Sequence, residues 1–207
     1  MAIVVVGGST RNIGKTSVVA GLIAGLPRLH WTAFKITQYG HGFCTADGKP
    51  CACQTEDACV AVTPERDPAG RTDSSRFLSA GAPRSFWVRT RIGQLSQAMP
   101  RVRELIDSSE NAILESNSVL DFLAPDLYLT VLDPSVADFK TSARRLLARA
   151  DAILIPARDG MPQPAPDLSE IAGKPVFSIA PPAYVTAGLI DFVRARLAQV
   201  PDPAPHP

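Results

Sequence analysis

Apolar positions in this chain come as short β-branched or aliphatic blocks separated by stretches of helical period. Ile3–Val6 is an uninterrupted β-branched run closed by Gly7-Gly8, the pattern of a strand buried on both faces. Gly14–Gly25 has the composition of a helix, with Gly25 and Pro27 to end it. Trp31–Thr37 reads as a second strand, Asp73–Ala80 as a short helix capped by Thr72 or Asp73, and Ser85–Thr90 as a further strand. Ile92–Ile106 is amphipathic, with Ile92, Leu95, Met99, Val102 and Ile106 on one stripe and Pro100 in its middle. Asn111–Glu115 and Asp126–Asp133 read as strands, the latter with Leu127, Leu129 and Val131 alternating. A helix over Asp138–Ala150, strands at Ala152–Pro156 and Pro175–Ile179, and a last helix over Thr186–Val200 complete the series. In that last helix Leu189, Phe192, Val193 and Leu197 point inward. From Gln38 to Pro68 no period is sustained.

Strands alternating with helices predict an α/β fold in three layers, a mostly parallel central sheet of about seven strands flanked by helices. The length of 207 residues fits one domain over 1–200, with an insertion at about 38–70 and a flexible tail over 201–207. Ligands of such sheets sit beyond the carboxyl ends of the strands, which directs attention to the residues after Val6, Thr37, Glu115, Asp133 and Ala157.

The first of these exits carries the clearest chemistry. Between strand and helix runs Gly8-Ser9-Thr10-Arg11-Asn12-Ile13-Gly14-Lys15-Thr16-Ser17. Backbone N–H groups of such a loop, with the partial positive charge of the helix start, cradle phosphates; Lys15 reaches the β- and γ-phosphates, and the Thr16 hydroxyl suits Mg²⁺. The G-x4-G-K-[ST] pattern fails at one place, since Ser9 stands where the first glycine belongs and Gly8 is one residue early. The expected ligands are therefore ATP or GTP with Mg²⁺. Arg158-Asp159 is a candidate for reading the base, and Asp133 and Asp138 are candidates for a second cation, a substrate amine or a helix cap.

This loop resembles that of dethiobiotin synthetase and the cobyrinic acid amide synthetases, where a Ser or Thr also replaces the first glycine. "AFKITQYG" (33–40) resembles the second strand of dethiobiotin synthetase, whose lysine reaches the substrate, here Lys35. "AILESNS" (112–118) resembles the strand whose glutamate helps hold Mg²⁺, here Glu115. "RTDSSRFLSAGA" (71–82) falls where that family has a further acidic magnesium ligand, which nominates Asp73. The layout is also similar to MobB-type adaptors of molybdenum cofactor assembly, so the resemblance is to dethiobiotin synthetase-like and MobB-like P-loop nucleotide-binding proteins, the SIMIBI-type class. It implies Lys15, Lys35 and Glu115 as catalytic residues, Thr16, Asp73 and Glu115 around Mg²⁺, and dimerisation across the nucleotide face, as in many members. Two departures matter: Ser116-Asn117-Ser118 replaces the family's glycine-rich stretch, and the chain is too short for an appended glutaminase domain.

Composition alters this picture at one place. All four cysteines, Cys44, Cys51, Cys53 and Cys59, fall in the aperiodic segment with spacing C-x6-C-x-C-x5-C. That spacing matches neither a zinc ribbon nor a ferredoxin run. Clustered thiolates suit Zn²⁺, Cu(I) or an iron–sulfur cluster, with His41 able to replace one ligand; free or oxidisable thiols are the alternative. A bound metal would order a segment that lacks a core. The net charge of +1 gives no reason to expect a nucleic acid partner, and no apolar run suits a membrane span or signal peptide, so the expectation is a cytoplasmic protein. Three roles follow: an NTPase in cofactor biosynthesis or metal-cofactor maturation, an ATP-dependent ligase or carboxylase acting on a small acceptor, or a nucleotide-switched metal-binding adaptor serving a cofactor-assembly protein.

Overall fold

The computed structural model describes residues 1–39, 60–133, 146–157 and 173–199. Eight strands form one sheet: β1 (Ile3–Gly8), β2 (Trp31–Tyr39), β3 (Val60–Pro64), β4 (Arg84–Arg91), β5 (Asn111–Glu115), β6 (Leu127–Val131), β7 (Ala152–Pro156) and β8 (Val176–Ile179). Their spatial order is β3-β4-β2-β5-β1-β6-β7-β8, parallel throughout except for β3, which runs antiparallel to β4. The α-helices that lie wholly within the described residues include α1 (Lys15–Gly25), α2 (Asp73–Ser79), α3 (Leu95–Asp107) and α4 (Ala187–Leu197).

The sheet divides the apolar interior in two. On one side Val18, Val19 and Leu22 of α1, Phe77 of α2 and Leu189 and Val193 of α4 pack on Val4, Val6 and Ala33. On the other, Leu95, Met99, Val102 and Ile106 of α3 pack on Val5, Phe34, Val88 and Leu114. β1 lies between β5 and β6, and the chain moves outward from it in both directions. The loop after β1 therefore opens at the point where strand order reverses, the usual ligand crevice of an open parallel sheet.

The structure corrects several sequence expectations. Eight strands replace about seven, because Val60–Pro64, within the segment that shows no period, pairs along β4 from Val60↔Thr90 to Pro64↔Phe86. Ile92 leaves the α3 stripe: β4 runs to Arg91, a turn with Gly93 at φ +81° follows, and Ile92 is exposed. Pro100 is accommodated inside α3 with its residue exposed to solvent. The alternation in Leu127–Val131 is not two-faced, since all five residues are buried in a strand covered on both sides. Of the helix expected over Asp138–Ala150, residues 146–149 are helical and the rest lies outside the described residues. Phe192 packs only partly buried at the edge of its core layer.

Candidate functional site

Each side chain of the site is delivered by a strand exit or helix start on one edge of the sheet. β1 ends in Gly7-Gly8 because nothing larger fits. A Cβ on Gly7 would stand 2.2 Å from Asn117 Oδ1 and 2.8 Å from the Tyr128 hydroxyl; one on Gly8 would meet Ile13 Cδ1 at 2.7 Å and the Val131 carbonyl at 3.0 Å. Asn117, two residues beyond β5, clasps the Gly8 peptide. Its Oδ1 accepts from Gly8 N–H and its Nδ2 donates to Gly8 C=O, both at 2.8 Å. Ser9 then anchors to the exit of β6, donating its N–H to Val131 C=O (2.9 Å) and accepting from Asp133 N–H at its hydroxyl (3.3 Å). The amides of Gly8 and Ser9 are thus spent on the protein. The departure at Ser9 acquires a reason: close approach is needed at Gly7 and Gly8, and a side chain is used at Ser9.

The loop turns with Asn12 at φ +57° and Gly14 at φ +96°, both left-handed. Gly14 is doubly constrained, since a Cβ there would also lie 2.6 Å from the Tyr184 ring. It serves as N-cap of α1 with no side-chain cap, which leaves the first-turn amides of that helix for an anion. Lys15 Nζ folds back to donate to Thr10 C=O at 2.5 Å. Burial pushes the Lys15 ammonium below the ordinary lysine value; Glu115 and Asp73 oppose the shift, and Lys35 and Arg11 add to it.

Opposite the loop stands an ionic cluster. Lys35 on β2 faces Glu115 on β5 across the ladder. Lys35 Nζ lies 2.6 Å from Glu115 Oε1 and 2.6 Å from Asp73 Oδ2, at the first residue of α2. Glu115 is 3% exposed, and its other oxygen accepts from Thr16 Oγ1 at 2.8 Å. Asp73 is placed by the cap of α2, where Thr72 Oγ1 accepts from Ser75 N–H at 3.1 Å. A cavity of about 690 Å³ joins these groups, lined by Lys15, Thr16, Lys35, Asp73, Glu115 and Asn117 among others.

A loop of amides at a helix start, facing an ion cluster at the reversal of strand order, also occurs in a known architecture. No family model and no curated protein sequence matches the chain. Among solved structures, HypB from Helicobacter pylori, in complex with nickel, aligns over 95% of this chain and 86% of its own at 14% identity, with a TM-score of 0.50. The fold is that of a P-loop NTPase. LpxK from Aquifex aeolicus, in complex with ATP, aligns over 86% of this chain at 19% identity with a TM-score of 0.47; the chain spans about half (53%) of that protein's length. MobB from Bacillus subtilis aligns over 95% of this chain and 98% of its own at 17% identity, with a TM-score of 0.42.

In this P-loop NTPase fold, Arg11, Asn12 and Gly14 to Ser17 of the nominated loop converge with Lys35, Asp73 and Glu115 on one cavity, whereas Gly8, Ser9, Thr10 and Ile13 do not line it. Asp133 is buried nearby at the end of β6, its amide tied to Ser9. His41, Cys44, Cys51, Cys53, Cys59, Asp138, Arg158 and Asp159, and the tail 201–207, lie outside the described residues. Of the cavity-lining residues not nominated, three bear most directly on the loop and α1. Asn117 had a signal, three polar residues where the resembled family has glycine. Arg76, one turn beyond Asp73, donates to Ser17 Oγ at 2.9 Å and lines the cavity. Tyr184 had none, because its contact with Gly14 joins distant parts of the chain. No helix among the described residues is long and apolar enough to cross a membrane.

Proposed function

We propose that this chain binds ATP or GTP with Mg²⁺ and hydrolyses it, in cofactor biosynthesis or metal-cofactor maturation. One arrangement carries the reading: the uncapped α1 start and Lys15 face Thr16, Lys35, Asp73 and Glu115 across a single cavity. Phosphoryl transfer asks a protein for position and charge neutralisation, and this set supplies both. The loop amides from Thr10 to Ser17 and the Lys15 ammonium bind the phosphate oxygens. The donor set suits a magnesium ion: two carboxylates already share one cation at 2.6 Å each, and a hydroxyl adjoins one of them. Thr16, Asp73 and Glu115 would hold that ion, which neutralises charge on the β- and γ-phosphates when bound. Lys35, released from the carboxylates, orients the terminal phosphate or an anionic acceptor.

That last role favours a second reading, a dethiobiotin synthetase-like ligase acting on a small acceptor. A nucleotide-switched adaptor, working with a cofactor-assembly protein and as a homodimer, draws its support from the cysteine segment in the sequence. Elemental analysis of protein purified anaerobically without chelator is expected to return stoichiometric zinc, or iron with sulfide; neither would remove the metal from this proposal.

The central test is nucleotide affinity. Lys15→Ala is expected to abolish binding of a fluorescent triphosphate, while Glu115→Gln lowers Mg²⁺-dependent turnover more than binding. Unchanged affinity in Lys15→Ala overturns the assignment.

A further inference from the structure

The sheet face that carries Lys35 continues past the end of α2. Side chains alternate along a strand, so Lys35 and Thr37 of β2 and Ser85, Trp87 and Arg89 of β4 share one face, in register Lys35↔Trp87 and Thr37↔Arg89. Ser85 lies beneath α2, its hydroxyl donating to Ser74 C=O at 2.8 Å, and Lys35 meets the first residue of that helix. Trp87 and Arg89 stand one and two steps farther toward the carboxyl ends of the strands, where ligands of such sheets bind.

The pair is built rather than incidental. Trp87 Nε1–H donates to Thr37 Oγ1 at 3.1 Å, which fixes the indole edge, and Thr37 itself lines the phosphate cavity. The Arg89 guanidinium lies over that indole, with Cζ 4.8 Å from the ring centroid. Its Nε is buried without a hydrogen-bond acceptor, and no carboxylate pairs with it among the described residues. A buried N–H without an acceptor is uncommon and costs free energy. A planar guanidinium placed over an aromatic ring, with its Nε–H unsatisfied, has the fork of donors that matches a carboxylate in two-point geometry.

We propose that Trp87 and Arg89 form a subsite for the carboxylate of a small acceptor molecule whose opposite end reaches Lys35 in the phosphate cavity. One strand spacing across and two residues along separate the two cations by roughly 8 Å at the backbone. The fitting ligand therefore carries a carboxylate a short chain away from its second polar group. The placement of that second group rests on the nucleotide reading; the Trp87–Arg89 pair does not.

The test uses the full-length chain with Mg²⁺ and a non-hydrolysable triphosphate, titrated with glutarate or adipate and with the corresponding diamides. Tryptophan fluorescence reports on Trp87, because the chain's other tryptophan, Trp31, is buried in the core at the opposite end of β2. A saturable change with the diacids and not the diamides is expected. The affinity should fall roughly tenfold or more in Arg89→Gln, and less in Arg89→Lys, which keeps the charge without the planar fork. No saturable change, or equal affinity in Arg89→Gln, overturns the subsite. Binding of a fluorescent triphosphate is followed separately: its failure overturns the nucleotide reading, whereas nucleotide binding without a diacid response overturns only the subsite.

Discussion

Asn117 accounts for a glycine 110 positions earlier in the chain. Its carboxamide occupies the volume that a side chain on Gly7 would need, and it holds both polar atoms of the next peptide. Gly7→Ala is therefore expected to lower the thermal midpoint sharply, through a clash with Asn117 Oδ1 and a lesser one with Tyr128. Asn117→Gly in the Gly7→Ala background should recover part of that loss, because it removes the nearer obstacle. Neighbouring sites that share a contact are non-additive; simple additivity in melting curves would mean that the clasp does not set the position of Gly7. The sequence disclosed the polar exit at Ser116-Asn117-Ser118 but not its target, because a contact across that separation leaves no local pattern.

Among elements, α2 shows how a short helix can be held without much apolar surface. Glu65, just beyond β3, accepts from the hydroxyls of Thr72 and Ser74, both at 2.8 Å, on either side of Asp73. It also accepts from the amides of Arg66 and Asp67. Ser75 and Ser79 bond back to the carbonyls of Asp67 and Pro68. The bonds that Glu65 itself accepts, from Ser74 first and then from Thr72 and the two amides, hold its carboxyl below the usual glutamate range. Its contribution to stability is then complete above the ordinary glutamate pKa and is lost as pH falls through the lowered folded value. Glu65→Gln should melt earlier than wild type at neutral pH, with the gap closing in acid; a constant gap would show that the charge is irrelevant. Long periodic elements such as α3 were legible in sequence, and the Thr72 cap of α2 was one of two candidates. β3 was not, because Val60–Pro64 is too short for a period and owes its existence to pairing with a strand twenty residues on. The false inclusion of Ile92 came from reading a helical spacing through a turn at Gly93.

For the whole molecule, alternation of strand and helix sufficed to predict a mostly parallel sheet, and the sequence placed the loop after β1 at one of its carboxyl-end exits. The order of strands was not legible, since it depends on which blocks pair across the chain. That order puts β2, β5 and β1 side by side, and so brings Lys35, Glu115 and the phosphate loop together. The Lys35 ammonium between Asp73 and Glu115 then acts as an internal counter-ion in a protein whose net charge is only +1. The Lys35 ammonium offsets half the charge of the two carboxylates and occupies the position between them that a divalent ion would need. Lys35→Gln should take up Mn²⁺ without nucleotide, as read by electron paramagnetic resonance, whereas wild type should wait for the triphosphate; equal uptake would show that Lys35 does not compete. Arg11, Lys15, Lys35 and Arg76 outnumber Asp73 and Glu115 in the cavity lining, so the local field favours an anion. Under the proposed nucleotide reading, the association rate of the anionic metal–triphosphate should fall as ionic strength rises; a rate that does not vary would show that this excess of cations does not steer binding.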